Sequence, residues 1–172
     1  LPNGIRNNEH AVAETIENNV RRKIIKEHLI DPAFYESMST LLAEIIKERK
    51  DNAINYAEYL KKIAKLVQQV NEGKADDTPD VLKTPAQRAL FNNLGKDAQL
   101  AILIDAAIRK SKRDGFRGNL AKEREVKLAI YSTLKTYSKD SDTIALGDPP
   151  ETYGIIQTVE RIYKIIAEQK EY

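Results

Sequence analysis

The chain has 172 residues, of which 41% are hydrophobic and 31% charged, enough apolar material for one ordinary domain or two small ones and too much for a wholly disordered chain. It contains no Cys, which excludes a disulfide framework, a cysteine-ligated zinc site and a cysteine nucleophile. The 28 basic and 26 acidic residues leave a net charge of +2, so any affinity for nucleic acid has to come from a local patch.

No apolar run approaches the ~20 residues of a membrane span, and no basic start leads into an apolar signal core. The expectation is a soluble, cytoplasmic chain with no membrane partner. It opens at Leu1 rather than Met and reads as a piece of a longer protein, with residues 1–8 as the tail of a preceding linker.

Taken in chain order, the apolar spacing is helical throughout. A first helix is predicted from about Glu9 to Leu29, with Ala13, Ile16, Val20, Ile24 and Leu29 on one face and cations gathered near its C-terminal end, where they complement the helix dipole. Asp31-Pro32 is a cap-plus-proline start for a second helix carrying Phe34, Met38, Leu41, Leu42, Ile45 and Ile46 inward. Asn55 with Glu58 three residues on makes a capping box for a third, with Tyr59, Leu60, Ile63, Leu66, Val67 and Val70. Residues 71–83 are polar, with Gly73 and Pro79, and read as an exposed loop or a linker between subdomains. Thr84-Pro85 starts a short fourth helix. A fifth runs from about Lys96 to Arg109 on Leu100, Leu103, Ile104, Ala107 and Ile108. After a turn over 111–118, Asn119 caps a sixth with Val126, Ile130, Leu134 and Tyr137 inward. A second loop covers 138–148, with Ile144 to Leu146 too short for a strand. The last helix follows Pro149-Pro150 and reaches about Lys170 on Ile156, Val159, Ile162, Tyr163 and Ile166. The fold class is therefore all-α, an irregular bundle of about seven helices. Residues 9–70 form a first helical part and 84–172 a second, an arrangement that admits two subdomains joined near 71–83.

Catalytic constellations are missing from the sequence. There is no GxxxxGK[ST], GxGxxG or GxSxG. His10 and His28 stand about five turns, ~27 Å, apart on one predicted helix and cannot share a metal within the chain. Glu168 and Lys170, with Asp148 upstream, resemble a nuclease triplet only as letters, because i and i+2 side chains diverge on a helix. Asp76-Asp77 and Asp140 with Asp142 are solvated loop pairs without the twelve-residue calcium pattern. Neither catalytic, cofactor-binding nor metal-ligating residues are assigned.

One charge feature remains. The span 109–127 holds Arg109, Lys110, Lys112, Arg113, Arg117, Lys122, Arg124 and Lys127 against Asp114, Glu123 and Glu125, a local excess of five positive charges. A basic turn leading into a helix N-terminus is suited to phosphate contacts. The same charges also suit a solvated, salt-bridged face. Phe116 sits in this polar turn, where its ring either anchors the loop or stacks on a partner. Gly115 and Gly118 are read as turn residues.

Several blocks then carry a family resemblance. ENxxR at Glu17 to Arg21, PxxYExMS at Pro32 to Ser39 and YAEYL at Tyr56 to Leu60 form one group. IDAAI at Ile104 to Ile108, DGFRGN at Asp114 to Asn119, KEREVKLAIY at Lys122 to Tyr131 and the terminal EQKEY form a second. Together they span most of the chain, with the two loops unmatched. The combination resembles the C-terminal helical region of the restriction, or motor, subunit of type I restriction–modification enzymes. That family often has Trp where this chain has Phe116. The resemblance implies a parent subunit that is an ATP-dependent DNA translocase and endonuclease, whose nuclease and ATPase domains, with their ATP and Mg²⁺, lie upstream. No catalytic role carries across to these residues. What it implies here is an assembly role: docking the motor to the methyltransferase and specificity subunits, with DNA contact through 109–127 as the alternative.

Overall fold

A computed structural model of the chain describes residues 3–140 and 149–172, the side chains of 139, 140 and 149–153 excepted. The order is α1 (Asn3–Glu27), a 3₁₀ turn (His28–Ile30), α2 (Pro32–Lys50), α3 (Tyr56–Glu72), α4 (Pro85–Asn93), α5 (Ala98–Ser111), α6 (Leu120–Asp140) and α7 (Pro149–Ala167). Among the described residues there is no strand, so the fold is all-α. None of these helices is long and apolar enough to cross a membrane.

The chain divides into two compact units, one of residues up to His28 together with Pro32–Asp77, the other of Leu29–Asp31 together with Thr78–Tyr172. The first unit packs α1, α2 and α3. Its core draws Ala13, Val20 and Ile24 from α1, Phe34, Met38, Leu42 and Ile45 from α2, and Tyr59, Ile63, Leu66 and Val70 from α3. The spacing on α3 is one side chain per turn, which keeps all four on a single stripe. The Asn55 side chain accepts from the Glu58 amide while the Glu58 carboxylate accepts from the Asn55 amide, closing the capping box. Gly73, at φ +61°, ends the helix in the left-handed region, and the Gly73 and Lys74 amides both reach Gln69 O.

The second unit packs α4 to α7 around Ala89, Leu90, Ile104, Ile108, Phe116, Val126, Ile130, Ile162 and Ile166. Thr84 caps α4 through the Gln87 amide, with Pro85 at the first helical position. Asp97, not Lys96, sets the start of α5, because its carboxylate accepts from the Leu100 amide and Lys96 lies at φ +60°, outside any right-handed helix. Asn119 caps α6 by accepting from the Lys122 amide. The Asp31 carboxylate accepts from the side-chain amides of Asn92 and Asn93, at 2.8 Å each.

Some expectations need correction. Residues 3–8 belong to α1 rather than to a linker tail; once packing of Ala13, Val20 and Ile24 nucleates the helix, propagation through the polar Asn-rich start costs little per residue. Leu29 is 62% exposed and lies in the 3₁₀ turn. Leu41, Leu60 and Leu103 are expected inward but are exposed, while their neighbours Leu42, Tyr59 and Ile104 are buried. Adjacent residues sit about 100° apart on a helix, so only one of each apolar doublet reaches the core. Ile156 is likewise exposed, and its neighbour Ile155 packs against the core instead. The helix α6 runs on to Asp140, past the predicted loop start at 138. The rest of that loop, with Ile144 to Leu146, Asp142 and Asp148, lies outside the described residues.

Candidate interaction surface

The basic turn is built by two glycines. Gly115 and Gly118 lie at φ +67° and +79°, and a Cβ at either would meet nothing within 4 Å. Backbone conformation rather than space therefore demands glycine at both. The tight turn drives Phe116 inward. Its ring is 1% exposed and stands edge-on to Tyr163, centroids 6.4 Å apart. Phe116 is an anchor, and its assignment as a partner contact is corrected: a ring with no exposed face cannot stack on a ligand.

Several cations around it bond to the fold. Arg117 lies over the Phe116 ring at 4.6 Å and donates from Nε to Ala167 O at 2.8 Å and from Nη2 to Gln169 O at 2.6 Å. A guanidinium there satisfies carbonyls at the C-terminal end of α7 and meets the negative pole of its dipole. Lys122 Nζ donates to Asp114 O at 2.7 Å, fastening α6 to the turn. Glu123 Oε1 accepts from the Gly118 amide at 3.1 Å and from the Tyr163 hydroxyl at 2.6 Å. Those bonds, Tyr163 first, hold the Glu123 carboxyl below its ordinary value. Burial, and then Glu123, push the Tyr163 phenol up. Lys127 spans the Tyr163 ring at 4.8 Å and Glu160 at 3.0 Å. Arg113 pairs with Glu125 at 3.0 Å, with both side chains well exposed.

Arg109 leaves the turn in the other direction. Its Nε pairs with buried Asp105 at 3.1 Å, its Nη2 with Glu171 at 2.6 Å, and its guanidinium lies 5.1 Å from the Tyr172 ring centroid. Asp105 also accepts from Gln87 at 3.0 Å and from the Tyr172 hydroxyl. Glu171 also accepts from the Ala86 amide at 2.6 Å, capping the start of α4. The last two residues are thereby tied to α4 and α5. Burial, and then Asp105, raise the Tyr172 phenol above its ordinary range.

Folding thus brings Asp105, Glu160 and Glu171 to cations of the 109–127 span, and the excess of five positive charges falls to two. The side chains of Lys110, Lys112 and Arg124 have no hydrogen-bond or ion-pair partner among the described residues.

The first unit holds a polar node that sequence reading missed. Glu17, 4% exposed, takes a two-pronged bond from Arg49, Nε to Oε1 at 2.8 Å and Nη2 to Oε2 at 3.1 Å. Tyr59 Oη lies 3.2 Å from Glu17 Oε1 and 3.3 Å from Ala13 O. Bonding to Glu17 raises the Arg49 guanidinium still further above neutral pH, while burial and then the Glu17 charge push the Tyr59 phenol up. Arg49 Nη1 lies 2.9 Å from His10 Nδ1. A guanidinium only donates, so Nδ1 accepts and the proton sits on Nε2, which faces Glu14 at 3.1 Å. His28 pairs separately with Glu36 at 3.6 Å. An open groove of about 680 Å³ over the node is lined by Arg6, His10, Lys50, Asn52 and Tyr56 among others.

Two signals pointed toward these nodes. Asp105 stands four residues before Arg109, the i,i+4 pairing distance of a helix. A Glu inside the apolar stripe of α1, as Glu17 is, needs a buried partner; nothing in the sequence pointed to Arg49, thirty-two residues on. Comparison with protein families, characterised proteins and solved structures finds no match to this chain.

Proposed function

We propose that this chain is a non-catalytic helical assembly domain of a type I restriction–modification motor subunit, docking it to the methyltransferase–specificity core of an ATP-dependent DNA translocation and cleavage complex. What supports this reading is where the residues that carry the resemblance go. Glu17 of ENxxR meets Tyr59 of YAEYL. Asp105 of IDAAI meets Tyr172 of EQKEY, and Arg117 of DGFRGN meets Gln169 of the same terminal block. Blocks far apart in sequence thus combine as the internal polar framework of each unit, as expected of a domain whose task is to hold a shape for a partner. ATP and Mg²⁺ would belong to the parent's upstream domains.

The test is co-purification. The folded chain, tagged, should retain the methyltransferase–specificity core on a column and should turn over neither ATP nor DNA. Failure of a well-folded chain to retain the core would end this reading.

The alternative, a DNA-backbone-binding module on 109–127, is left with Lys110, Lys112 and Arg124 as unpaired cations. Three phosphate contacts give a log–log salt slope of about −2.7, whereas all eight cations of the span would give about −7. A slope near the larger value in a duplex titration would restore the DNA reading.

A further inference from the structure

We infer that the outer flank of α6, with Leu120, Leu128 and Tyr131 continued by Ile156 of α7, is the docking face for an acidic amphipathic helix of a partner subunit. This inference rests on the assembly reading and names the surface that reading needs.

Leu120, Leu128 and Ile156 are 78%, 62% and 48% exposed. A single leucine or isoleucine this open is ordinary on a protein surface, whereas several on one flank make a patch that marks an interaction site. On α6 the residues Leu120, Arg124, Leu128, Tyr131 and Lys135 fall within an arc of about 80°, over roughly 22 Å of helix. They form a stripe rather than a scatter. The helices α6 and α7 run antiparallel, since Glu123 meets Tyr163 and Lys127 meets Glu160. Carried one turn further, the same antiparallel register leads to Tyr131 of α6, half-buried against the core, and toward exposed Ile156 of α7.

The unpaired charge on this flank is positive, since Glu125, one turn before Leu128, is taken by Arg113. The arc of α6 contains no carboxylate, and Glu160 on the adjoining seam is already taken by Lys127. Arg124 has no partner among the described residues, and Lys135 rests its ammonium 5.7 Å from the Tyr131 ring centroid. Apolar side chains interrupted by cations match a helix that presents apolar side chains flanked by Asp and Glu. The face is also held rigid. Lys122 fastens the start of α6 to Asp114, and Glu123 fastens it to Gly118 and Tyr163, so little ordering cost remains on binding.

The experiment measures binding of the full chain to the methyltransferase–specificity core by calorimetry, with variants of exposed residues that leave the core of the unit intact. L128D and L120D should each weaken binding about tenfold or more, the usual loss at a central apolar contact. R124E should also weaken it, with a reduced dependence on salt. I25D, at an isoleucine of the first unit that is 70% exposed, should bind as wild type, and circular dichroism should be the same for all. If wild type does not bind the core, the assembly reading fails and this face falls with it. If wild type binds and L128D and L120D bind equally well, the face is wrong while the assembly reading stands. If L128D binds the core normally but loses affinity for duplex DNA, the flank is a nucleic-acid surface and the proposal is overturned. If only R124E is silent, the occupant is not acidic and the proposal is overturned in that respect too.

Discussion

The two units place their charges differently. In the first unit the ion pair of Glu17 with Arg49 lies among the helices, both side chains largely shut off from water. In the second unit a web of partly exposed pairs and carbonyl bonds runs from Arg109 through the glycine turn to the last residue. A buried pair is costly to break, because the survivor is stranded without water. A partly exposed web loses less at any one strand than a buried pair does, and its apolar anchor, Phe116, carries the larger share.

Breaking the buried pair should therefore have the largest effect. Arg49→Met leaves the Glu17 carboxylate buried and should cost about 3–5 kcal/mol in urea unfolding, whereas Glu17→Leu combined with Arg49→Met should recover most of that loss. A double variant as unstable as the single one would place the stability in geometry rather than in desolvation. Phe116→Ala should follow, at about 3–5 kcal/mol before any collapse of the site. If Phe116→Ala cost under ~1 kcal/mol, the ring would not be the anchor of the turn. Gly118→Ala should cost about 1–2 kcal/mol, from the left-handed backbone alone. At the small end, Arg113→Ala should fall within about 0.5 kcal/mol, since both partners of that pair are exposed and screened.

Titration sharpens the same contrast. The Tyr59, Tyr163 and Tyr172 phenols are pushed up from 10.0 by burial and by the carboxylates they serve. Their contribution is complete below pH 10 and is lost as pH rises above it, because the unfolded chain ionises first. Tyrosinate absorbance of the folded chain should therefore rise late for these residues and jump on unfolding. Glu123 works at the other end. Its carboxyl is held below the ordinary 4.5, so its contribution is present above that value and fades as pH falls below it. Glu123→Gln should flatten that part of the acid limb.

The helices and most of their caps were legible in the sequence because their causes are local. Asn55 with Glu58, Thr84-Pro85 and the two turn glycines act within four residues of themselves. The all-α class follows from the same periodicity. The net charge of the folded patch was not legible for the opposite reason: a count along the chain over 109–127 cannot see Asp105, Glu160 and Glu171 arriving from other helices. Phe116 shows the limit in miniature. Its polar neighbours left both an anchor and a partner contact open, and only the fold, with positive φ at Gly115 and Gly118, places the ring in the core. The Glu17–Arg49 pair was hidden by sequence distance, although the isolated acid in an apolar stripe was visible.

Arg117 and Lys122 of the glycine turn bond to main-chain carbonyls and so brace the fold. Unfolding free energies of Arg117→Ala and Arg124→Ala, two arginines seven residues apart in the same span, test that bracing most directly. Arg117 makes two charge-assisted bonds to main-chain carbonyls, so its loss should cost about 1–3 kcal/mol, while loss of Arg124 should fall within about 0.5 kcal/mol. Equal and negligible losses for both would contradict the account and return the whole basic span to the surface as a contact site.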